Sequence, residues 1–162
     1  MPRAEFTGRW GFTTPSGVAK PIHRAFQLLH AAGTQRFNVT VAAEDTCGST
    51  TQVLALANST STSLSDKSAG GAMIFVSNNG RAQCNVTLTG FPPHKSSGFL
   101  HRIDHDHGNP LQVWQEQGSP PFPNFQQILA LKVASELHPH EIKVSDTFEL
   151  AVPPNGLSVL VL

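Results

Sequence analysis

The sequence predicts a mainly β chain: an antiparallel β-sandwich with a helical insertion. Three observations carry this. Apolar residues alternate with polar ones in short segments, as in a strand with one wet face. Thirteen Gly and twelve Pro, with abundant Ser and Thr, punctuate those segments at short intervals. Helical spacing is confined to residues 20–32 and 111–137, so helices flank or interrupt a strand-rich body rather than build it.

The elements follow in order. Residues 9–14 read as a short strand ended by Pro15-Ser16-Gly17. Lys20-Pro21 opens a helix, because proline at the first turn sacrifices an N–H that has no helical partner anyway. Ile22, Ala25, Phe26, Leu29 and Ala32 form its apolar stripe, and Gly33 stops it. This strand-helix unit is too small to bury its own stripe and should pack on something else. From Arg36 the period becomes two, with Phe37, Val39 and Val41 facing one way. Strands are expected at residues 51–57, 72–77, 83–89 and 98–104, and Asn78-Asn79-Gly80 reads as a hairpin turn between the second and third of these. Residues 59–68 form a Ser/Thr tract, read as a polar loop. A short helix over 111–117 is closed by Gly118, and Asn124 with Gln127 makes a capping box for a helix reaching Leu137. Phe125, Ile128, Leu129 and Leu131 are expected towards a core. Strands at 147–152 and 157–162 end the chain around the turn Pro153-Pro154-Asn155-Gly156.

Composition limits the function classes. The chain has 162 residues, a formal net charge of zero and only 14% charged residues. Without a basic surplus there is no electrostatic case for nucleic acid or an anionic membrane surface, and no run of 18 apolar residues spans a bilayer. The cysteines, Cys47 and Cys84, allow one disulfide and match no zinc spacing. Asn38, Asn58 and Asn85 each open an Asn-X-Thr or Asn-Ser-Thr glycosylation sequon. Together these favour a Cys47–Cys84 bridge and a secreted or lysosomal setting. Met1 to Phe6 lacks the apolar stretch of a secretory leader, so further chain is expected upstream.

The densest polar chemistry lies at residues 101–110, His-Arg-Ile-Asp-His-Asp-His-Gly-Asn-Pro. His101, His105 and His107 with Asp104 and Asp106 could hold zinc if side chains two apart face one way. The same residues also suit a polar corner, in which Asp104, His107 and Asn109 hydrogen-bond backbone where strand turns to helix. The corner is the preferred reading, with no metal and no cofactor. Trp114 could stack on a sugar, or be buried beside the Gly118-Ser119-Pro120 turn, the commoner fate of such a Trp.

At these residues the chain resembles glycoside hydrolase family 39, the β-xylosidase and α-L-iduronidase family. Lys20-Pro21-Ile22-His23-Arg24-Ala25-Phe26-Gln27-Leu28-Leu29-His30 is similar to its last barrel helix. Arg102-Ile103-Asp104, His107, Asn109, Trp114, Gly118-Ser119-Pro120, Phe122-Pro123, Leu131 and Ala134-Ser135 follow its R-I-D-x-x-H-x-N…W…G-S-P run. The matched residues are Asp104, His107 and Asn109, while His101 and His105 are unmatched. The resemblance implies that residues 1–34 are a strand-helix remnant of a (β/α)8 barrel and residues 35–162 a β-sandwich with its helical insertion at about 110–137. It also implies that the parent is a retaining glycosidase whose catalytic Glu pair lies on barrel strands upstream. A barrel needs about 250 residues. Retaining hydrolysis needs two carboxyls about 5–5.5 Å apart. Of the eleven acids, Asp104 and Asp106 are the close pair within residues 101–110, on one side of an extended segment with no cleft between them. The expectation is a non-catalytic portion whose partner is a catalytic barrel, in the same parent chain, another chain or a dimer mate. Trp10 matches a cleft position loosely and, with Trp114, is a weak sugar contact. The alternative is a stand-alone, lectin-like module binding carbohydrate or protein.

Overall fold

The structure is a computed structural model and describes residues 5–6, 11–40, 50–57, 71–91 and 97–162. Its elements are α1 (Pro21–Ala31), β1 (Gln35–Phe37), β2 (Thr51–Ala57), β3 (Ala72–Asn78), β4 (Cys84–Thr89) and β5 (Ser97–Ile103), then α2 (Pro110–Glu116), α3 (Phe125–Ala134), β6 (His140–Lys143), β7 (Thr147–Val152) and β8 (Gly156–Val161). The strands form a six-stranded sheet in the order β1-β2-β3-β8-β5-β6 and a two-stranded ribbon of β4 and β7, all antiparallel. The chain is therefore mainly β, as its alternation predicts.

The ribbon lies on one face of the large sheet. Val76, Leu100 and Leu160 from the sheet meet Leu150 and Val152 from the ribbon in one buried cluster, extended by Val86, Leu88 and Phe148. On the other face Phe75, Ile103 and Val159 pack with Leu28 of α1. β3 and β8 thus bury both faces and read as near-continuous apolar runs, while β4 and β7 alternate cleanly.

Three expectations change. The Asn79-Gly80 turn joins no hairpin: β3 pairs with β2 and β8, whereas β4 pairs with β7 in the other sheet. The turn carries the chain between sheets, because the Asn78 side chain is drawn inward. Its Nδ2 donates to the carbonyls of Ala82 (2.8 Å), Val152 (3.1 Å) and Pro153 (3.2 Å), and its Oδ1 accepts from Gly80 N–H (2.8 Å). Of the strand expected from Phe37 to Val41, the structure forms β1, ending at Phe37 opposite Ala55, and leaves Val39 exposed, while Val41 lies outside the described residues. Of the strand expected over 9–14, residues 9–10 lie outside the described residues, and Thr13 makes an isolated bridge to Ala19. Residues 59–68 are likewise outside.

The helices begin as their caps dictate. Asn124 accepts from Gln127 N–H (3.0 Å) and the Gln127 side chain accepts from Asn124 N–H (2.8 Å), the reciprocal capping box. The core face expected for α3 is not covered, while α1 leaves its stripe open, as expected of a unit too small to bury it. On α3 only Leu131 is fully buried, with Phe125 74% and Leu129 46% exposed. On α1 the buried residue is Leu28, off the apolar stripe, while Ile22, Phe26 and Leu29 are exposed.

Candidate functional site: the polar corner after β5

β5 delivers Arg102, Ile103 and Asp104 to the edge of the sheet, where the chain bends before α2. Ile103 is held in the α1-side core, and this fixes Asp104 as the next residue inward. The Asp104 carboxylate is 3% exposed. Its Oδ1 accepts from the backbone N–H groups of Asp106 (2.9 Å) and His107 (3.0 Å) and meets His107 Nδ1 at 2.7 Å. Asp104 N–H in turn donates to the His107 carbonyl at 3.0 Å, closing a tight loop. A single carboxylate thus satisfies donors that would otherwise be stranded at the bend.

The bend also separates the two aspartates. Asp106 is exposed and pairs with exposed His105 at 2.8 Å, while Asp104 points inward. The expectation that residues 104 and 106 face one way fails because Asp104 captures the N–H of Asp106 itself and turns the backbone. His107 meets His140 edge-on, with ring centroids 6.3 Å apart. Among the described residues no three His, Cys, Asp or Glu gather as a metal-binding group. His101, earlier on β5, is partly buried, and that burial lowers its pKa below the usual 6.5.

Asn109 precedes α2 without capping it; its Nδ2 donates to the His105 carbonyl at 3.0 Å. Pro110 occupies the first turn of α2 and is fully buried. α2 ends where Gly118 adopts a φ of +81°, a left-handed value that glycine meets without strain. Ser119 follows at +54°, its N–H donating to the Trp114 carbonyl (2.9 Å), and Trp114 Nε1 donates to the Pro120 carbonyl at 3.0 Å. The Trp114 ring meets Phe6 at 5.5 Å. Both ends of the indole are therefore engaged within the chain. Trp10 lies outside the described residues.

Among the described residues the buried carboxylates are Glu5 and Asp104. Glu5 Oε1 accepts from Ser16 N–H (3.1 Å) and Ser16 Oγ (2.6 Å). Asp104 is occupied by its own turn, whereas Glu5 reaches the turn at Ser16 through Oε1 and leaves its buried Oε2 without a hydrogen-bond partner among the described residues.

These linked features have a counterpart elsewhere. The family profile of glycosyl hydrolases family 39 matches residues 1–148. The chain belongs to glycosyl hydrolase family 39. A β-xylosidase from Caldicellulosiruptor saccharolyticus is 30% identical over 94% of this chain, which spans 31% of that protein. Among solved structures, a family 39 β-xylosidase from Caulobacter crescentus superposes with a TM-score of 0.72 at 22% identity, over 99% of this chain and 31% of its own. The bacterial orthologue of human α-L-iduronidase gives 0.61 at 22% identity, over 90% of this chain and 27% of its own. The chain thus spans under a third of these family 39 relatives.

Several other residues bear on function. Cys84 is buried, with Thr51 Oγ1 3.1 Å from its sulfur, and Cys47 lies outside the described residues. Asn38 and Asn85 are exposed, and Asn58 lies outside. Sequence reasoning missed Asn78, a fully buried amide that ties two loops together. The Asn-Asn-Gly signal was present but favoured a simple hairpin. It also missed the open groove between α1 and the sheet, of about 640 Å³, lined by Phe26, Leu29, Arg36, Gln52 and Phe75 among others.

Proposed function

We propose that this chain is the non-catalytic C-terminal portion of a family 39 glycosidase, a β-sandwich preceded by the last strand-helix segment of the catalytic barrel. Residues 1–34 would then be barrel-terminal and residues 35–162 the sandwich with its helical insertion. The observation that carries the reading is the exposed apolar face of α1. Phe12 meets Phe26 edge-on, with ring centroids 5.3 Å apart, and Ile22, Phe26 and Leu29 are all exposed, the last two lining the groove. A second open stripe runs along α3 through Phe125, Leu129 and Val133, four residues apart. Apolar faces of this kind are rarely left in water. The barrel, whether in the same parent chain, another chain or a dimer mate, is the partner they fit, and the relatives are about three times longer than this chain. Engagement of the Asp104 carboxylate by three donors of its own turn leaves it poorly placed to serve as a glycosidic acid or base. Trp114, with both ends engaged, offers little to the lectin-like alternative.

The test is direct. The chain alone, incubated with aryl xylosides and aryl iduronides, should release no aglycone. Turnover that survives Asp104→Ala and Asp106→Ala would overturn the reading. On the same view the protein belongs to a secreted or lysosomal compartment, with Cys84 bridged to Cys47. Its non-reduced mass should then fall two hydrogens short of the thiol form; a full-mass protein refutes the bridge.

A further inference from the structure

The groove between α1 and the sheet is not uniformly apolar. At its centre Leu54 and Phe75 pair across β2 and β3 to make the floor, and Phe26 and Leu29 of α1 make one wall. Its volume of about 640 Å³ lies in the range of small-molecule sites.

Polar groups of two kinds stand towards its ends. Cross-strand partners share a face of a sheet. Arg36 of β1 lies opposite Leu56, which packs on the α1 side, so Arg36 belongs to the groove face. Towards the other end Gln52 and Ser77 are direct partners across β2 and β3. Among the described residues lining the groove Arg36 carries the sole charge, and no described acidic group pairs with it. The side chains of Gln52 and Ser77 likewise make no hydrogen bond among the described residues. Leu56, which faces Arg36, and Gln52 are four residues apart on β2, roughly 13 Å at about 3.3 Å per residue. The groove therefore presents a cation, an aromatic and aliphatic middle, and a neutral hydrogen-bonding pair, in that order.

A guanidinium beside apolar surface, with no carboxylate of its own, is complementary to a carboxylate, which it can hold through two parallel N–H bonds. We propose that the groove binds a small organic acid with a flat apolar body. Its carboxylate pairs with Arg36, its body lies against Phe26, Leu54 and Phe75, and a hydroxyl at its far end meets Gln52 and Ser77. Because the arginine side chain reaches inward, the body is shorter than the strand span, about 10 Å. Every group that forms the site lies within this chain, so the site stands apart from the barrel assignment. Ile22 and Phe12 are exposed outside the groove and stay available for barrel packing.

The experiment titrates the full chain with a hydroxynaphthoate whose carboxylate and hydroxyl lie at opposite ends of the fused ring. Binding is followed by the fluorescence of the probe and by amide NMR shifts. One molecule per chain is expected to bind at about millimolar concentration or below, with shifts centred on Leu54, Phe75 and Ser77. Arg36→Gln, an exposed substitution whose thermal melt should match the parent's, weakens the acid about fivefold. It leaves unchanged the binding of the neutral alcohol in which hydroxymethyl replaces the carboxylate. Phe26→Ser weakens both probes, and Ser77→Ala weakens the hydroxynaphthoate more than the naphthoate that lacks the hydroxyl. Non-saturable binding, or shifts centred on the α3 stripe, overturns the site. Equal affinity of the parent chain for acid and alcohol, or of parent and Arg36→Gln for the acid, overturns the assignment of an anion.

Discussion

The two faces of the six-stranded sheet are built from one set of strands yet finished differently. The ribbon face is sealed: Val76, Leu100, Leu150, Val152 and Leu160 are all almost completely buried, and every element that seals them belongs to this chain. The helix face is half finished. α1 contributes one buried side chain, Leu28, and leaves a groove beside Phe26, which is 52% exposed. Burial of apolar area is the main stabilising term. The ribbon face is therefore where this chain stabilises itself, and the helix face is where it has surface to offer a partner.

That contrast can be broken by substitution. Leu160→Ala should cost about 4 kcal/mol in chemical denaturation, since a sealed site cannot collapse around the cavity. Leu28→Ala, at the rim of an open groove, should cost about 2 kcal/mol; equal losses would show the helix face to be as well sealed as the other. Asn78→Ala strands the Ala82, Val152 and Pro153 carbonyls and the Gly80 N–H, and should cost about 2–3 kcal/mol. Phe26→Ser should change the stability of the chain by less than about 0.5 kcal/mol while reducing its binding of a hydrophobic dye. A large stability loss there would mean that α1 is held by its stripe after all.

The smallest effect is electrostatic. His101 has its folded pKa below 6.5, so the folded state binds fewer protons than the unfolded state as pH falls. Stability is intact above about 6.5 and declines as pH drops from there towards the folded pKa. An NMR titration should place the His101 midpoint below 6.5, and His101→Gln should flatten this part of the stability profile.

What the sequence revealed depended on how local its cause was. The Asn124–Gln127 capping box, the Pro21 helix start and the alternation of β4 and β7 are short-range effects and read correctly. β6, four residues of His-Glu-Ile-Lys, was invisible because its strand character comes from pairing with β5. The facing of α3 was misjudged for the same reason: periodicity identifies an apolar stripe but not whether this chain covers it, whereas the open stripe of α1 was expected of a unit too small to bury it. At the corner, the residue types at 104–109 announced hydrogen bonding to backbone. The turning of Asp106 away from Asp104 needed the bond that Asp104 makes to its neighbour's N–H.

Asn78 has a mechanical meaning as well. It binds the loop leaving β3 and the carbonyls at the end of β7, so the two crossings at this end of the ribbon, β3 to β4 and β7 to β8, are riveted together. Cys84 and Val152 are paired and buried at that end, whereas Thr89 and Thr147 are paired and exposed at the other. Chain crossings tie the ribbon to the large sheet at both ends, but one end alone carries the buried amide, so ribbon amide protons beside Asn78 exchange more slowly than those near Thr89 and Thr147.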